Sequence, residues 1–434
     1  MEQLQLGVAK RCTSPKLGTI LFGYPKQRPA LSIGDDLTVV AAAFAYGDAK
    51  VVLLSADICL VTEDTALEFR QQISEKTGIP VSSIIFCTTH THSGPNTSTK
   101  ESGWGSADME YLDGILRPQT IQAAIDAVNA MRPVLMGVAS TESDVAANRR
   151  AISPDGKVGL GQNPWGLVDK ELTVVSFKDA ETDEIVLNIA HYGAHATASG
   201  CNDEATRDWP GAMKDVLERE LGGTAMFLAG SIGETGPRCP NGGTTQSYQA
   251  AKELGRRAGM DAVSAFRKIK EWRNAPVKIT TGDVVVPYEP LPSKEIAEEE
   301  LAKLGKFEDM TPYQKNEYFR WTRILNEYKD GQPETAWVQK QSILTIGPVA
   351  IVPFPFEMFL YTTLQLRQYS KFPYTLSVSC ANGNKAYLPS EDQLVRGGYE
   401  IWQFRNYNTY KMVDEAATHL VTENLKILNK AHEA

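Results

Sequence analysis

The chain contains no CxxC pair. Its six cysteines, Cys12, Cys59, Cys87, Cys201, Cys239 and Cys380, are scattered along 434 residues, which excludes a cysteine zinc knuckle and gives no disulfide framework; they read as small buried hydrophobes. No run of about 18 apolar residues is present to span a bilayer. Positive charge is not in excess: 44 Lys and Arg against 53 Asp and Glu leave a formal net charge of −9. A phosphate-tracking surface is thereby excluded, and with it nucleic acid or an anionic membrane as a bulk partner. The start, Met1-Glu2-Gln3-Leu4-Gln5, lacks a basic segment followed by an apolar one, so a cytoplasmic protein with no stable membrane association is expected. Histidine is also scarce, with six in all. Four of them fall in two short clusters, His90 with His92 and His191 with His195, while His419 and His432 lie in a helical tail.

Apolar residues make up 42% of the chain, ample for a substantial core. Strand and helix signals alternate. Val51 to Asp57 reads as a buried strand, Thr62 to Lys76 as a helix closed by Gly78, and Ile84-Ile85-Phe86 as a strand leading into the first histidine pair. A helix from about Met109 to Met131 follows, then strands at Pro133–Ala139, Leu172–Phe177 and Glu184–Ala190, the last emptying into the second pair. Asp208-Trp209-Pro210-Gly211 reads as a helix start with Asp208 as N-cap, ending at Gly222-Gly223, before a strand at Ala225–Ala229. A charged helical excursion runs from about Ser293 to Asp330, within bounds of roughly 290–332, and Ser342–Ile346 with Val349–Val352 flank Gly347-Pro348 as a hairpin. With no repeat or low-complexity linker, residues 1–434 are expected to form a single α/β domain of mixed sheets layered with helices.

A strand that breaks into loop delivers polar side chains from a rigid base to an open edge. Imidazole is the commonest zinc ligand, and two histidine-bearing strand ends that converge are what a zinc site requires. Side chains two apart share a face only while the pleat stays regular. If the strand has broken by Thr91, the two rings diverge, His90 toward metal and His92 toward proton transfer or substrate hydrogen bonding. Asp57, at its strand's end, either orients the histidine cluster or caps the next helix. Taken alone, Glu357 is a first-turn carboxylate before the helical stretch 358–369, Tyr387 a core tyrosine, and Asn148-Arg149-Arg150 a turn that permits one inward-facing arginine.

Thr89-His90-Thr91-His92-Ser93-Gly94-Pro95, Asn148-Arg149-Arg150, Asp208-Trp209-Pro210-Gly211, the turn from Gly230 to Pro237, Pro355-Phe356-Glu357 and the loop from Asn382 to Pro389 occur in the order and approximate spacing of one family. From about Leu6 to Ile427 the chain resembles the N-terminal catalytic domain of neutral/alkaline ceramidases. The resemblance implies a zinc ion held by His90, His195, Glu357 and Tyr387, with His191 the fallback for His195, and with His92 and Arg149 contacting substrate. The family's immunoglobulin-like C-terminal domain is not expected, since the sequence ends at Ala434.

The turn Gly233-Glu234-Thr235-Gly236-Pro237 departs from the family's Gly-Asp-x-Ser-Pro, placing Gly236 where the family has a serine held to be important for amide cleavage. Arg238 follows, and a fixed guanidinium there would recognise a carboxylate or phosphate. Glu234, Gly236 and Arg238, with His191 and Asp57, are therefore the candidate substrate contacts. The leading expectation is a zinc-dependent hydrolase cleaving an amide or ester of a small polar or sugar-derived molecule by metal-activated water, with Arg149 and Arg238 placed to meet an anionic group on it. A zinc-dependent lyase, isomerase or glycoside-cleaving enzyme acting on a carbohydrate or hydroxy acid is the alternative; a non-catalytic binding protein is the third.

Overall fold

Val51-Val52-Leu53-Leu54 is too apolar to present either face to water. In the computed structural model, which describes residues 2–330 and 333–433, it lies fully buried in a mixed sheet of eight strands. In chain order these are Gln5–Cys12 (β1), Thr38–Tyr46 (β2), Ala49–Ala56 (β3), Ile84–Thr88 (β4), Arg132–Glu142 (β5), Glu171–Asp179 (β6), Ile185–Tyr192 (β7) and Thr224–Ala229 (β8). They lie side by side as β8-β7-β6-β5-β1-β2-β3-β4. The outermost pairings, β3 with β4 and β7 with β8, are parallel. A parallel pair needs a crossover, and helices Glu63–Thr77 and Asp208–Leu221 supply them. The first is delimited as its sequence dictates: Thr62 accepts from the Thr65 amide, acidic Glu63 and Asp64 open it, and Gly78 closes it at φ 71. The second does not use Asp208 as its N-cap: Arg207 stands at the cap without a side-chain cap bond, and Asp208 is already the first helical residue, its carboxylate accepting the amides of Trp209, Ala198 and Ser199 and so tying the helix start to the segment after β7.

A second sheet of Val277–Pro287 (β9), Ala336–Ile346 (β10), Val349–Pro353 (β11) and Tyr374–Val378 (β12) lies in that order. It packs face to face on the first through one apolar layer, in which Leu6, Phe44, Leu53, Phe177 and Ile189 meet Val277, Leu344, Ile351 and Leu376. Each such fully buried side chain contributes roughly 1.5–3 kcal/mol. Helices cover the outer faces: Phe69, Ile73 and Ala124 over β2 to β4, Met213, Leu217 and Leu254 over β6 to β8, and Leu420 and Leu428 over the second sheet. The order is helices, sheet, sheet, helices, a mixed α/β architecture.

Three departures from the sequence pattern have physical causes. The helix from Met109 is interrupted by a π-helical stretch at Leu112–Leu116 before it resumes as Arg117–Asn129; Pro118 has no amide to return to the preceding turn, and a widened turn accommodates the loss. The excursion is two helices, Lys294–Lys303 and Pro312–Asp330, with residues 331 and 332 of its expected span outside the described residues. Its second helix is tied down by Arg320 and Arg323, which donate to the carbonyls of Asn408 and Tyr407. Glu357 is not in a helical first turn: Glu357–Met358 is a short strand, and the helix starts at Leu360. No helix among the described residues is long and apolar enough to cross a membrane.

Candidate metal centre

The first sheet curls until its edges meet, with Ser55 Oγ of β3 donating to Phe227 O of β8 at 2.6 Å. That curl brings the segments following β4 and β7 together. Thr91 pairs with Ala196 in an isolated parallel bridge, and the His92 amide donates to Ala196 O at 3.1 Å. The ladder ends at Thr88, so the strand has broken before Thr91, and His90 beyond it has a φ of 61, in the left-handed region uncommon for residues with a Cβ. Cys380, Asn382 and Ala386, in the loop that closes over the same place, share that conformation, so four of the six such residues described are here. Strain of this kind persists only where the surroundings impose it. Asn382 does so from the far side, accepting the Phe86 amide on its side chain and donating its own amide to Phe86 O.

Glu357 reaches the same point from the second sheet's side. Glu357–Met358 and Tyr387–Leu388 form a two-stranded parallel ladder in which Glu357 stands opposite Tyr387, so the two side chains share a face. The result is a convergence of His90, His195 and Glu357, whose ligand atoms all lie within 4.8 Å of one another. His195 Nε2 is 3.0 Å from Glu357 Oε2, and His90 Nε2 is 3.6 Å from the same oxygen. All three are buried. Each imidazole is oriented from behind: His90 Nδ1 donates to Cys59 O at 2.8 Å and His195 Nδ1 to Ile232 O at 2.6 Å. A backbone carbonyl on Nδ1 fixes the tautomer and leaves the Nε2 lone pair facing the centre, as a metal-binding histidine requires.

The electrostatics suit a cation. Burial, reinforced by Arg149, holds the His195 pKa down to about 3, and burial with His90 and His195 holds His92 well below the usual imidazole range. Burial alone would raise the Glu357 carboxyl, but the field of His90 and the close approach of His195 bring it well below the ordinary value. Burial also opposes protonation of His90, yet Cys59, Cys380 and Glu357 outweigh it. A divalent ion at this point would meet the Glu357 carboxylate between two imidazoles. Two imidazole lone pairs and a carboxylate are a donor set that fits zinc. A second grouping, Cys59 with His90 and His92, shares His90. The His90 nitrogen recorded beside that thiol is Nδ1, at 3.7 Å, and it is already committed to the Cys59 carbonyl, which favours the Glu357 set.

His92 does not diverge from His90 as the broken strand led one to expect: their Nε2 atoms are 3.2 Å apart. It stands outside the three-ligand convergence all the same, and its Nδ1 is buried without a partner. Gly23 makes room for it, since a Cβ there would fall 2.5 Å from the His92 ring. Arg149, buried, donates from Nη2 to Tyr387 OH at 2.9 Å and from Nε to Glu400 at 3.1 Å. Burial raises the Tyr387 phenol well above its ordinary pKa, with Arg149 partly opposing, so the ion-free side chain is neutral. These groups line a cavity of about 230 Å3, walled also by Tyr24, Trp104, Tyr313, Tyr399 and Tyr407.

The remaining candidates lie elsewhere. Asp57 is fully buried in an ion pair with Lys214 at 2.7 Å and accepts from Thr38, which ties β3 to the Asp208–Leu221 helix. His191 is still inside the β7 ladder; it is hydrogen-bonded to Ser377 O through Nε2 at 2.8 Å, and burial lowers its pKa to about 4. Arg238 is exposed and donates to Ala146 O. Glu234 lines a different cavity. At Gly236 an added Cβ would lie 2.7 Å from Thr244, so the threonine fills the space a serine side chain would need. Gly23, Tyr24 and Tyr399, which line the pocket, and Glu400, which holds Arg149 from behind, were not legible in the sequence: they arrive through packing between distant segments, with no periodic signal.

A buried His-His-carboxylate centre on a four-layer mixed α/β frame defines the type of molecule, and comparison with solved structures makes it more specific. The chain has a neutral-ceramidase-like fold. All of it superposes on 75% of neutral ceramidase from Pseudomonas aeruginosa with a TM-score of 0.78 at 15% identity, and on 76% of a ceramidase complexed with C2 with a TM-score of 0.77 at 16% identity. At these identities the likeness is one of fold. No family model matches the sequence, and no curated protein does.

Proposed function

We propose that this chain is a zinc-dependent hydrolase that cleaves an amide or ester of a small polar or sugar-derived molecule. The observation that carries the reading is the convergence of His90 Nε2, His195 Nε2 and Glu357 Oε2 at the floor of a cavity whose wall carries His92 and Arg149. His90, His195 and Glu357 would hold the ion and Tyr387 would complete the set. Zinc, when bound, supplies a Lewis acid that acidifies water and polarises a carbonyl. His92, with an unpartnered Nδ1 and a neutral ring, is placed to accept and return a proton. Arg149 holds the Tyr387 hydroxyl and is itself held by Glu400, so its guanidinium is positioned before any substrate arrives. The cavity, about 230 Å3 and walled largely by aromatic side chains, suits a group of modest size.

Ceramide is not the substrate proposed. Gly236 offers no hydroxyl, and Thr244 occupies the adjoining space. The test is turnover by the zinc-loaded protein of a panel of water-soluble N-acyl, O-acyl and glycosidic compounds alongside a short-chain ceramide. Hydrolysis of a soluble acyl compound that is lost in Glu357→Gln supports the reading; turnover of the ceramide alone, or acyl cleavage that survives Glu357→Gln, contradicts it.

A further inference from the structure

The strand Ala146–Ile152 has two faces. Alternation sends Arg149 to the metal-side cavity and Asn148 and Arg150 to the other side, where a second cavity of about 480 Å3 opens between this strand, the neighbouring strand Val158–Asn163 and residues 390–396. Its floor is built of fixed polar groups. Arg150 is held by Glu400 at 2.8 Å, Gly397 O at 2.8 Å and Gln393 at 3.3 Å. Glu234, 5% exposed, accepts the Leu360 amide on one carboxylate oxygen at 3.0 Å, while the other has only the Asn148 amide at 3.5 Å. That second oxygen has hydrogen-bonding capacity to spare. Burial raises the Glu234 pKa to about 7, so near neutrality the group can donate as well as accept.

The rim is different. Trp165 is 93% exposed at the lip, with Ile152 and Tyr361 also open to water beside the cavity. A bare indole above a polar cleft is unusual, because tryptophan is on average strongly buried. The combination selects a ligand class. Carboxylate and amide groups in fixed orientation match paired hydroxyls, and an exposed aromatic face offers an apolar platform beside them. A lipid chain would strand the polar floor. A strongly anionic ligand would meet Glu234 and Asp392 beside an Arg150 already neutralised by Glu400, leaving Arg396 as the one lining cation without a recorded side-chain partner among the described residues.

We propose that this cavity is a saccharide-binding site, separate from the metal centre, with Trp165 as the stacking platform and Glu234 and Asp392 among its hydroxyl-binding groups. It stands independently of the hydrolase reading, since none of these residues belongs to the metal-side cavity.

The experiment is calorimetric titration of the whole 434-residue chain with maltose, cellobiose and N,N′-diacetylchitobiose at millimolar concentrations, repeated with Trp165→Ala, with Asp392→Ala and with the native chain treated with a zinc chelator. The expected result is saturable binding of at least one disaccharide that weakens about tenfold or more in each variant and persists after chelation. Both substituted side chains lie at the rim, so the variants should keep the native circular dichroism spectrum, which is measured alongside. Absence of binding by all three sugars, equal binding by Trp165→Ala, or loss of binding on chelation would each overturn the assignment.

Discussion

Strands β4 and β7 each carry two histidines near their C-terminal ends, yet β4 delivers both rings to the pocket and β7 only one. The difference lies in where the ladder stops. β4 pairs with β3 only to Thr88, so His90 and His92 are both beyond it. β7 remains paired with β8 through Tyr192, so His191 is inside the ladder and its side chain is committed to the space between sheets, against Ser377. His195 follows after a short turn and its amide is held by Thr235 O. A histidine at the end of a strand is available for chemistry when its backbone has left the sheet.

The largest test of that contrast is His195→Ala, which should lose bound zinc and lower turnover at least ~10³-fold, about 4 kcal/mol of barrier; metal analysis and steady-state kinetics read both. Next is His92→Ala, expected to keep its zinc while turnover falls ~10²-fold, the usual scale for a lost general acid or base; parallel loss of metal would make His92 a ligand. Tyr387→Phe should cost roughly tenfold or more, because it removes both the oxygen that would complete the metal set and the partner of the buried Arg149; a loss that persists in an Arg149→Met background assigns it to the metal set, and one that vanishes there assigns it to the Arg149 bond.

His191→Gln should leave zinc and turnover unchanged and act on stability alone. His191 titrates near 6.5 when unfolded and about 4 when folded, so the unfolded chain binds more protons between those values. Its neutral, buried form contributes stability that is intact above about pH 6.5 and lost as pH falls toward 4, up to ~3 kcal/mol. Denaturant midpoints of the native protein should therefore fall more steeply than those of His191→Gln across that window, and matching slopes would show that His191 is not the group responsible.

Much of the frame was legible because local signals agreed with one another. The run Val51–Leu54, the Thr62 cap, the Gly78 stop and the Ile84 strand together specify β3, a crossover helix and β4. Of the candidate ligands, His90 and His195 were nameable as histidines following strand ends, whereas Glu357, which alone read as a first-turn carboxylate, was named only through the family resemblance. Their convergence was not legible, since it depends on the curl that joins β3 to β8 and on the approach of Glu357 to His195, contacts spanning well over a hundred residues. The left-handed turn at His90 was invisible for a related reason: it is imposed by the Ile58 carbonyl and by the loop at Asn382, neither adjacent in sequence. Asp57 and Arg238 read as substrate contacts because a charge at a strand end or turn looks the same whether it faces a pocket, a buried lysine or solvent.

The most direct measurement is zinc content per chain, by elemental analysis of protein equilibrated with zinc and desalted, for the native chain, His195→Ala and His191→Gln. About one zinc in the native chain and in His191→Gln, with essentially none in His195→Ala, is the predicted pattern. A native chain without zinc, or a His195→Ala variant that keeps it while His191→Gln does not, would contradict the assignment of the centre to His90, His195 and Glu357.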